Sequence, residues 1–333
     1  MHANVLRALL GIMVVLLCRY MTGVIHEPQD IAENDAFSGI ISLYDVKNPT
    51  ILGNGYSVIE TICEEYSTEQ SGAFVRLRKI NSVTEDESYT YAAGYADIIC
   101  YRDGLDSSDV MKNEDFTASL DSDHPELPAP YHSGRVIVPL WYDIYVMVIK
   151  SDLAQGENVA GWSMEELWEY MNENSVKAVY ARENVVGIFS VEKYNSYFPP
   201  LCDMLTKGDI SAFFNEDCGV FFGSLKDVKP LLRRQMRGED IPDYEIHLIP
   251  SSSDREKCVY VSEIYSYAAK DSHDEAKNRE ILRFMRYLQS PEAQRYTENL
   301  GYLPWVGAEN VAYEKYPYLK DFALSRLRHI IVE

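Results

Sequence analysis

Residues Ala276 to Val306 (AKNREILRFMRYLQSPEAQRYTENLGYLPWV) constrain the fold more than any other stretch. Ile281, Phe284, Met285 and Leu288 recur at the i, i+3, i+4, i+7 spacing of a helix with one buried face. Ser290-Pro291 ends that helix and starts another. Ser290 suits an N-cap, Pro291 the first helical position, and Glu292 the positive N-terminal end. The second helix carries Ala293, Tyr296 and Leu300 and stops at Gly301, which adopts the left-handed conformation of a helix end without steric cost. Pro304 forbids continuation, so Tyr302 to Trp305 is extended. Local chemistry thus predicts two helices meeting at a corner, followed by an aromatic strip, together covering a core.

The chain ahead of this hairpin alternates strand and helix. Gly39 to Tyr44 reads as a strand, Val58, Ile59, Ile62 and Cys63 as the buried face of a helix, and Phe74 to Leu77 as a second strand. Strand, helix and strand with short links make a βαβ unit and imply a parallel sheet. Tyr91 to Tyr101 reads as a helix end passing into a buried strand led by Asp97. Leu105 to Ser133, with Pro125, Pro128, Pro130 and many acids, reads as mostly loop. The apolar run Val136 to Ile149 is a buried strand, and Ser163 with Glu166 forms a capping box for a helix burying Leu167, Trp168 and Met171. Gly187 onward reads as a strand, an aromatic loop and a new helix; Tyr244 to Pro250 and Val259 to Ala268 read as further strands. No internal repeat or low-complexity tract is present.

A chain of 333 residues buries a large core and makes more than one domain. Its 52 Asp and Glu against 31 Lys and Arg give a net charge of -21, which argues against a nucleic-acid partner and against tight docking to anionic lipid. Arg7 precedes the apolar run Ala8 to Cys18, so residues 1–23 read as a signal peptide or membrane anchor and 24–37 as a polar spacer. Cys63, Cys100, Cys202, Cys218 and Cys258 match no zinc spacing, and most sit among apolar neighbours as small buried hydrophobes. The seven histidines form no metal-spaced cluster, so neither a metal nor another cofactor is expected.

The order of helix, Ser290-Pro-Glu-Ala-Gln294, helix and Asn299-Leu-Gly-Tyr-Leu-Pro304 resembles the C-terminal part of bacterial extracellular solute-binding proteins, the carbohydrate-type (family 1) receptors of ABC importers. The resemblance continues through Gly134, Pro139, Trp141, Tyr142 and Lys150-Ser-Asp-Leu153, and through Trp162 with Glu165-Glu166-Leu167, and runs in order from about Gly39 to Leu327. It departs from the family in two places. The second lobe is trimmed before Cys218, and Leu225 stands where the family often has tryptophan.

The resemblance implies a periplasmic-binding-protein-like type II α/β fold: two lobes joined by a hinge, with a ligand cleft between them. Lobe 1 takes residues 38–147 and 265–310, lobe 2 residues 148–264, and 311–333 form a C-terminal helical segment. It further implies a monomer, extracellular and cell-membrane-associated, that captures a carbohydrate or polyol for ABC permease transmembrane subunits. A lipid on Cys18 belongs to the same pattern, but Val15-Leu16-Leu17 lacks the small residue the lipidation motif wants, so lipid and uncleaved anchor both stay open.

Open α/β sheets bind ligands beyond the carboxyl ends of their strands. The expected ligand-binding residues are therefore Tyr44 and Asp45, Tyr101 and Asp103, Trp141, Tyr142 and Asp143, Ser262, Glu263 and Tyr265, with Tyr194 and Tyr197 in the second lobe's loop. Asp143 resembles an acidic sugar contact of related receptors. Tyr302 and Trp305 are expected to pack. There is no G-x-x-x-x-G-K-[ST], H-E-x-x-H or G-x-S-x-G, so no enzyme is expected. The alternative is a degenerate member acting as a ligand sensor or cell-surface interaction protein.

Overall fold

The expected βαβ opening is present. The computed structural model describes residues 37–45, 57–69, 72–79, 94–101, 110–123, 133–154, 158–189, 204–214, 218–251, 258–304, 317–324 and 328–331. Strand β1 (Gly39–Asp45), helix α1 (Val58–Glu69) and strand β2 (Ala73–Lys79) come first, with β1 and β2 parallel and Gly39 opposite Ala73. Strand β3 (Ile98–Cys100) lies parallel on the other side of β1. Alternation does the folding: Ile41, Leu43, Ala73 and Val75 are buried, as are Val58, Ile59, Ile62, Cys63 and Tyr66 of α1.

The loop-like stretch between Leu105 and Ser133 contains a helix, α2 (Glu114–Asp123). Asn113 Oδ1 accepts from Phe116 N at 2.8 Å, and Glu114 and Asp115 occupy the first turn, so capping and dipole chemistry outweigh the poor apolar pattern. Strand β4 (Ile137–Lys150) follows and is buried along all but its last residue. Helix α3 (Ser151–Ala154) leads to α4 (Met164–Glu173), whose Ser163–Glu166 capping box forms as expected. Beyond β5 (Ala178–Tyr180), Gly187-Ile188-Phe189 is helical rather than strand. It ends α5 (Glu183–Phe189), where Val185, Ile188 and Phe189 share one buried face at i, i+3, i+4.

Strand β6 (Leu205–Lys207), β7 (Val220–Ser224), helix α6 (Leu225–Met236), β8 (Tyr244–Leu248) and β9 (Cys258–Ala269) complete the second half. The hairpin is built as its sequence dictates: α7 (Glu275–Leu288), then α8 (Pro291–Gln294) with Ser290 Oγ accepting from Ala293 N at 3.3 Å. Its second arm is two single turns, α8 and α9 (Thr297–Leu300), rather than one helix. Buried Gln294 turns its amide to the Leu288 carbonyl at 2.7 Å, and Thr297 Oγ1 donates to the Gln294 carbonyl at 2.6 Å, so side chains bond the turn internally. Gly301 closes it at φ +66° before β10 (Leu303–Pro304). The last segment holds helix α10 (Pro317–Leu324) and also a strand, β11 (Arg328–Ile331), parallel to Cys258–Val261 of β9.

Two sheets share β4. Its first half pairs with β9 and β10, and beyond β9 come β3, β1 and β2. From Tyr145 on it pairs with β7 on one side and β8 on the other, and β5 and β6 extend the second sheet. Side chains then alternate between two cores. Tyr142, Ile144, Val146 and Val148 join Phe213, Leu225 and Val228, whereas Tyr145, Met147 and Ile149 join Leu167, Trp168, Phe189 and Phe222. Cys63, Cys100, Cys218 and Cys258 are buried free thiols. Among the described residues no helix is long and apolar enough to cross a membrane.

Candidate functional site

The site is built where β4 leaves one sheet for the other. Two register shifts interrupt the β4–β9 pairing there, between Pro139 and Trp141 and between Asp143 and Ile144. Leu140 is the unmatched residue of β4 and Ser262 that of β9, since Tyr142 faces Ile264 and Asp143 faces Glu263 before Ile144 meets Val261. Bulges of this kind re-aim side chains beside functional sites. Here they set Asp143, Ser262 and Glu263 together.

Helix α6 meets this crossing end-on. Its capping pair is Ser224 and Asp227, with Asp227 Oδ2 accepting from Ser224 N at 3.0 Å and Oγ at 3.1 Å. Asp143 Oδ1 accepts from Lys226 N at 3.3 Å, in the first turn, where backbone N–H groups lack helical partners. Arg182 grips Asp227 with two bonds, Nε to Oδ2 at 2.8 Å and Nη2 to Oδ1 at 3.1 Å. Lys226 Nζ stands 3.8 Å from Glu263 Oε2, and Lys229 Nζ lies 3.6 Å above the Tyr302 ring. Tyr302 packs on Tyr265 with centroids 5.0 Å apart and hydroxyls at 3.1 Å.

Burial dominates the electrostatics. Asp143 is 0% exposed, and desolvation raises its carboxyl from 3.8 to about 6, against the pull of Ser224, Lys229 and Ser262. Desolvation also lowers Lys229 from 10.5 to about 8, with Asp143 opposing the shift. The phenols of Tyr145, Tyr265 and Tyr302 are all pushed upward, again by burial first. Three buried polar atoms of the crossing strands have no hydrogen-bond partner: Trp141 Nε1, Asp143 Oδ2 and Ser262 Oγ. The Ser262 hydroxyl is near enough to favour ionised Asp143 yet lacks bonding geometry. A buried polar atom without a partner is costly and rare, and marks a place for water or ligand.

The expected site residues divide. Asp143, Ser262, Glu263 and Tyr265 come together at the crossing. Trp141 and Tyr142 are on the same strand but enclosed, at 0% and 4% exposed, and Tyr142 lies in the apolar core, so neither offers a ring face to a ligand here. Asp45 is also enclosed, accepting from the Tyr267 hydroxyl at 3.1 Å, which ties β1 to β9. Tyr44 and Tyr101 are partly buried against the core. Asp103, Tyr194, Tyr197, Trp305 and Cys18 lie outside the described residues. Sequence reasoning passed over Arg182, Lys226, Asp227 and Lys229. Their signal was Ser224-x-x-Asp227, a capping pair after a strand, with Lys226 and Lys229 one turn apart on the helix it starts.

No protein-family model matches the chain, and no curated protein matches it by sequence. Solved structures do match in fold. A sugar transporter protein from Rhizobium etli, in an open conformation, superposes with a TM-score of 0.67 over 88% of this chain and 89% of its own, at 11% identity. The fold is that of the ABC substrate-binding proteins. A cyclic maltosyl-maltose binding protein from Arthrobacter globiformis shares it at a TM-score of 0.63 and 11% identity, over 88% of each chain. The GacH receptor of Streptomyces glaucescens, solved unliganded and with acarbose, does so at 0.59 and 16%, also over 88% of each chain. The periplasmic-binding-protein-like, two-lobed α/β architecture expected from the sequence is therefore present.

Proposed function

We propose that the chain is the extracellular substrate-binding component of an ABC importer, which captures a carbohydrate or similar polyol between two lobes and delivers it to permease transmembrane subunits. Lobe 1 takes residues 38–147 and 265–310, lobe 2 residues 148–264, and β4 and β9 carry the chain between them. Residues 311–333 follow lobe 1. The observation that carries the reading is the crossing itself: unpartnered Asp143 Oδ2 and Ser262 Oγ, with Lys226 bonding Asp143 through its N–H and standing near Glu263, and Lys229 within electrostatic reach. A sugar hydroxyl donates and accepts at once, so it satisfies carboxylate and ammonium together. The proteins of the same fold are named for sugars, acarbose and maltosyl-maltose, which supports the same ligand class.

The binding set is Asp143, Ser262, Glu263 and Tyr265 with Lys226 and Lys229. Tyr44 and Tyr101 are further candidate contacts, as are Asp103, Tyr194 and Tyr197, which lie outside the described residues. The chain performs no catalytic step, works as a monomer, and is held at the cell surface through Ala8 to Cys18. A thermal-shift panel of mono- and oligosaccharides, polyols and short peptides tests the reading. A ligand at ~100 times its dissociation constant adds about 2.7 kcal/mol of stability, so a sugar or polyol raises the melting temperature clearly. Silence across sugars and polyols overturns it.

One observation favours a second reading, that of a sensor or surface interaction protein. Leu225, at the place of the family's tryptophan, is 1% exposed and belongs to the apolar core, so no ring face replaces the lost one there. A sugarless panel with a peptide response would select that reading.

A further inference from the structure

Strands β1 and β2 have unlike faces. One is buried under α1 through Ile41, Leu43, Ala73 and Val75. On the other, Ile40 and Phe74 are register partners, 52% and 51% exposed. Tyr95, 66% exposed, precedes β3 at the same end of the sheet. Only four large hydrophobic residues among the described ones are this exposed, and the fourth, Met236, is on α6. Two of the four are therefore neighbours on one face, and a third precedes the strand on the other side of β1. Clustered exposed apolar residues mark interaction surfaces, whereas scattered ones are ordinary.

Arg76 and Arg78 continue the same face, opposite Ser42 and Tyr44. Both are exposed, and neither has an ion pair among the described residues. Among the described acids, Glu60 pairs with Lys79, and Asp97 pairs with Lys277 while accepting from Ser42 N at 2.7 Å. In a chain of net charge -21 two unpaired arginines beside an apolar row are unexpected. Strand β2 is the outermost strand of the described sheet.

We propose that this face is a membrane contact: Phe74, Ile40 and Tyr95 settle into the headgroup layer while Arg76 and Arg78 meet anionic phospholipid. It rests on the proposed cell-surface location. One short apolar or acyl anchor holds a protein only marginally, and a basic patch is the usual second signal. The chain's overall negative charge does not forbid it, because charges farther than about 8 Å from the lipid are screened at physiological salt. Arginines at the surface are attracted over the same short range. An apolar row with flanking cations suits a lipid surface, which needs no shaped partner.

Hydrogen exchange on the full chain, reconstituted on phosphatidylcholine vesicles with and without phosphatidylglycerol, tests the proposal. Amides of residues 72–79 are expected to exchange several-fold more slowly on the anionic vesicles only. The Arg76→Glu/Arg78→Glu variant loses that protection, and Phe74→Ser reduces it. The circular dichroism melt of each variant confirms the fold. Equal exchange on both vesicle types, or protection that survives charge reversal, overturns the proposal. Protection that grows with protein concentration without vesicles would assign the face to a second copy of the chain instead. None of these outcomes depends on sugar binding, so the substrate-binding reading stands or falls separately.

Discussion

Replacing Asp143 by asparagine isolates the electrostatics of the crossing. The carboxyl is fully buried, and desolvation lifts it from 3.8 to about 6. A raised folded-state value means that the folded protein binds the proton more tightly than the unfolded chain. Asp143 therefore contributes its stability below pH ~4, and that contribution is lost as pH rises through about 6. A shift of roughly two units corresponds to ~3 kcal/mol between the two limits. Asparagine keeps the shape, still accepts from Lys226 N, and never ionises. The variant should match the parent near pH 4 and exceed it by about 1–3 kcal/mol at pH 7.5, the lower part reflecting the lost attraction to Lys229. Urea unfolding at several pH values measures the difference directly. A pH-independent difference, or a variant less stable at pH 7.5, would refute the reasoning.

Other consequences are as specific. Lys229 is shifted the opposite way, to about 8, so its contribution is present above its ordinary 10.5 and lost as pH falls through 8. Melting curves of the parent should therefore gain on Lys229→Met between pH 8 and 10, and parallel curves would contradict this. Ser163→Ala removes a capping box and should cost about 1 kcal/mol in urea unfolding. Gly219→Ala sets a methyl 2.7 Å from Val176 Cγ1 and against Leu153, so destabilisation of ~1–3 kcal/mol is expected in the same assay. Tyr302→Phe removes the hydroxyl bond to Tyr265 but keeps the ring under Lys229, at a cost of about 0.5–1.5 kcal/mol in urea unfolding.

Much of the fold is local chemistry and is legible in the sequence. Ser290-Pro291 and Gly301 mark the corner, Ser163 with Glu166 starts α4, and an apolar run broken only by Asp143 announces β4. What escaped reading mostly depends on partners remote in sequence, helix α2 with its own Asn113 cap being the exception. Helix α2 hides in an acidic, proline-flanked stretch, and β11 is a strand because Cys258–Val261 is there to pair with it. The bond from Tyr267, 222 residues on, to the Asp45 carboxylate could not be read from the sequence. The site divides in the same way. Asp143 is legible as an acid inside an apolar strand, whereas its union with Lys226 and Lys229 follows from bulges that shift β4 against β9.

Isothermal titration of a sugar or polyol hit into the parent protein and into Glu263→Gln and Lys229→Met tests the central claim most directly. Both variants alter the mouth of the crossing, and cooperative melting establishes that each is folded. One-site binding by the parent, weakened about tenfold or more in each variant, is the predicted result, equivalent to losing at least one charged hydrogen bond. A parent that binds no sugar, or variants that bind it as tightly as the parent, would contradict the account.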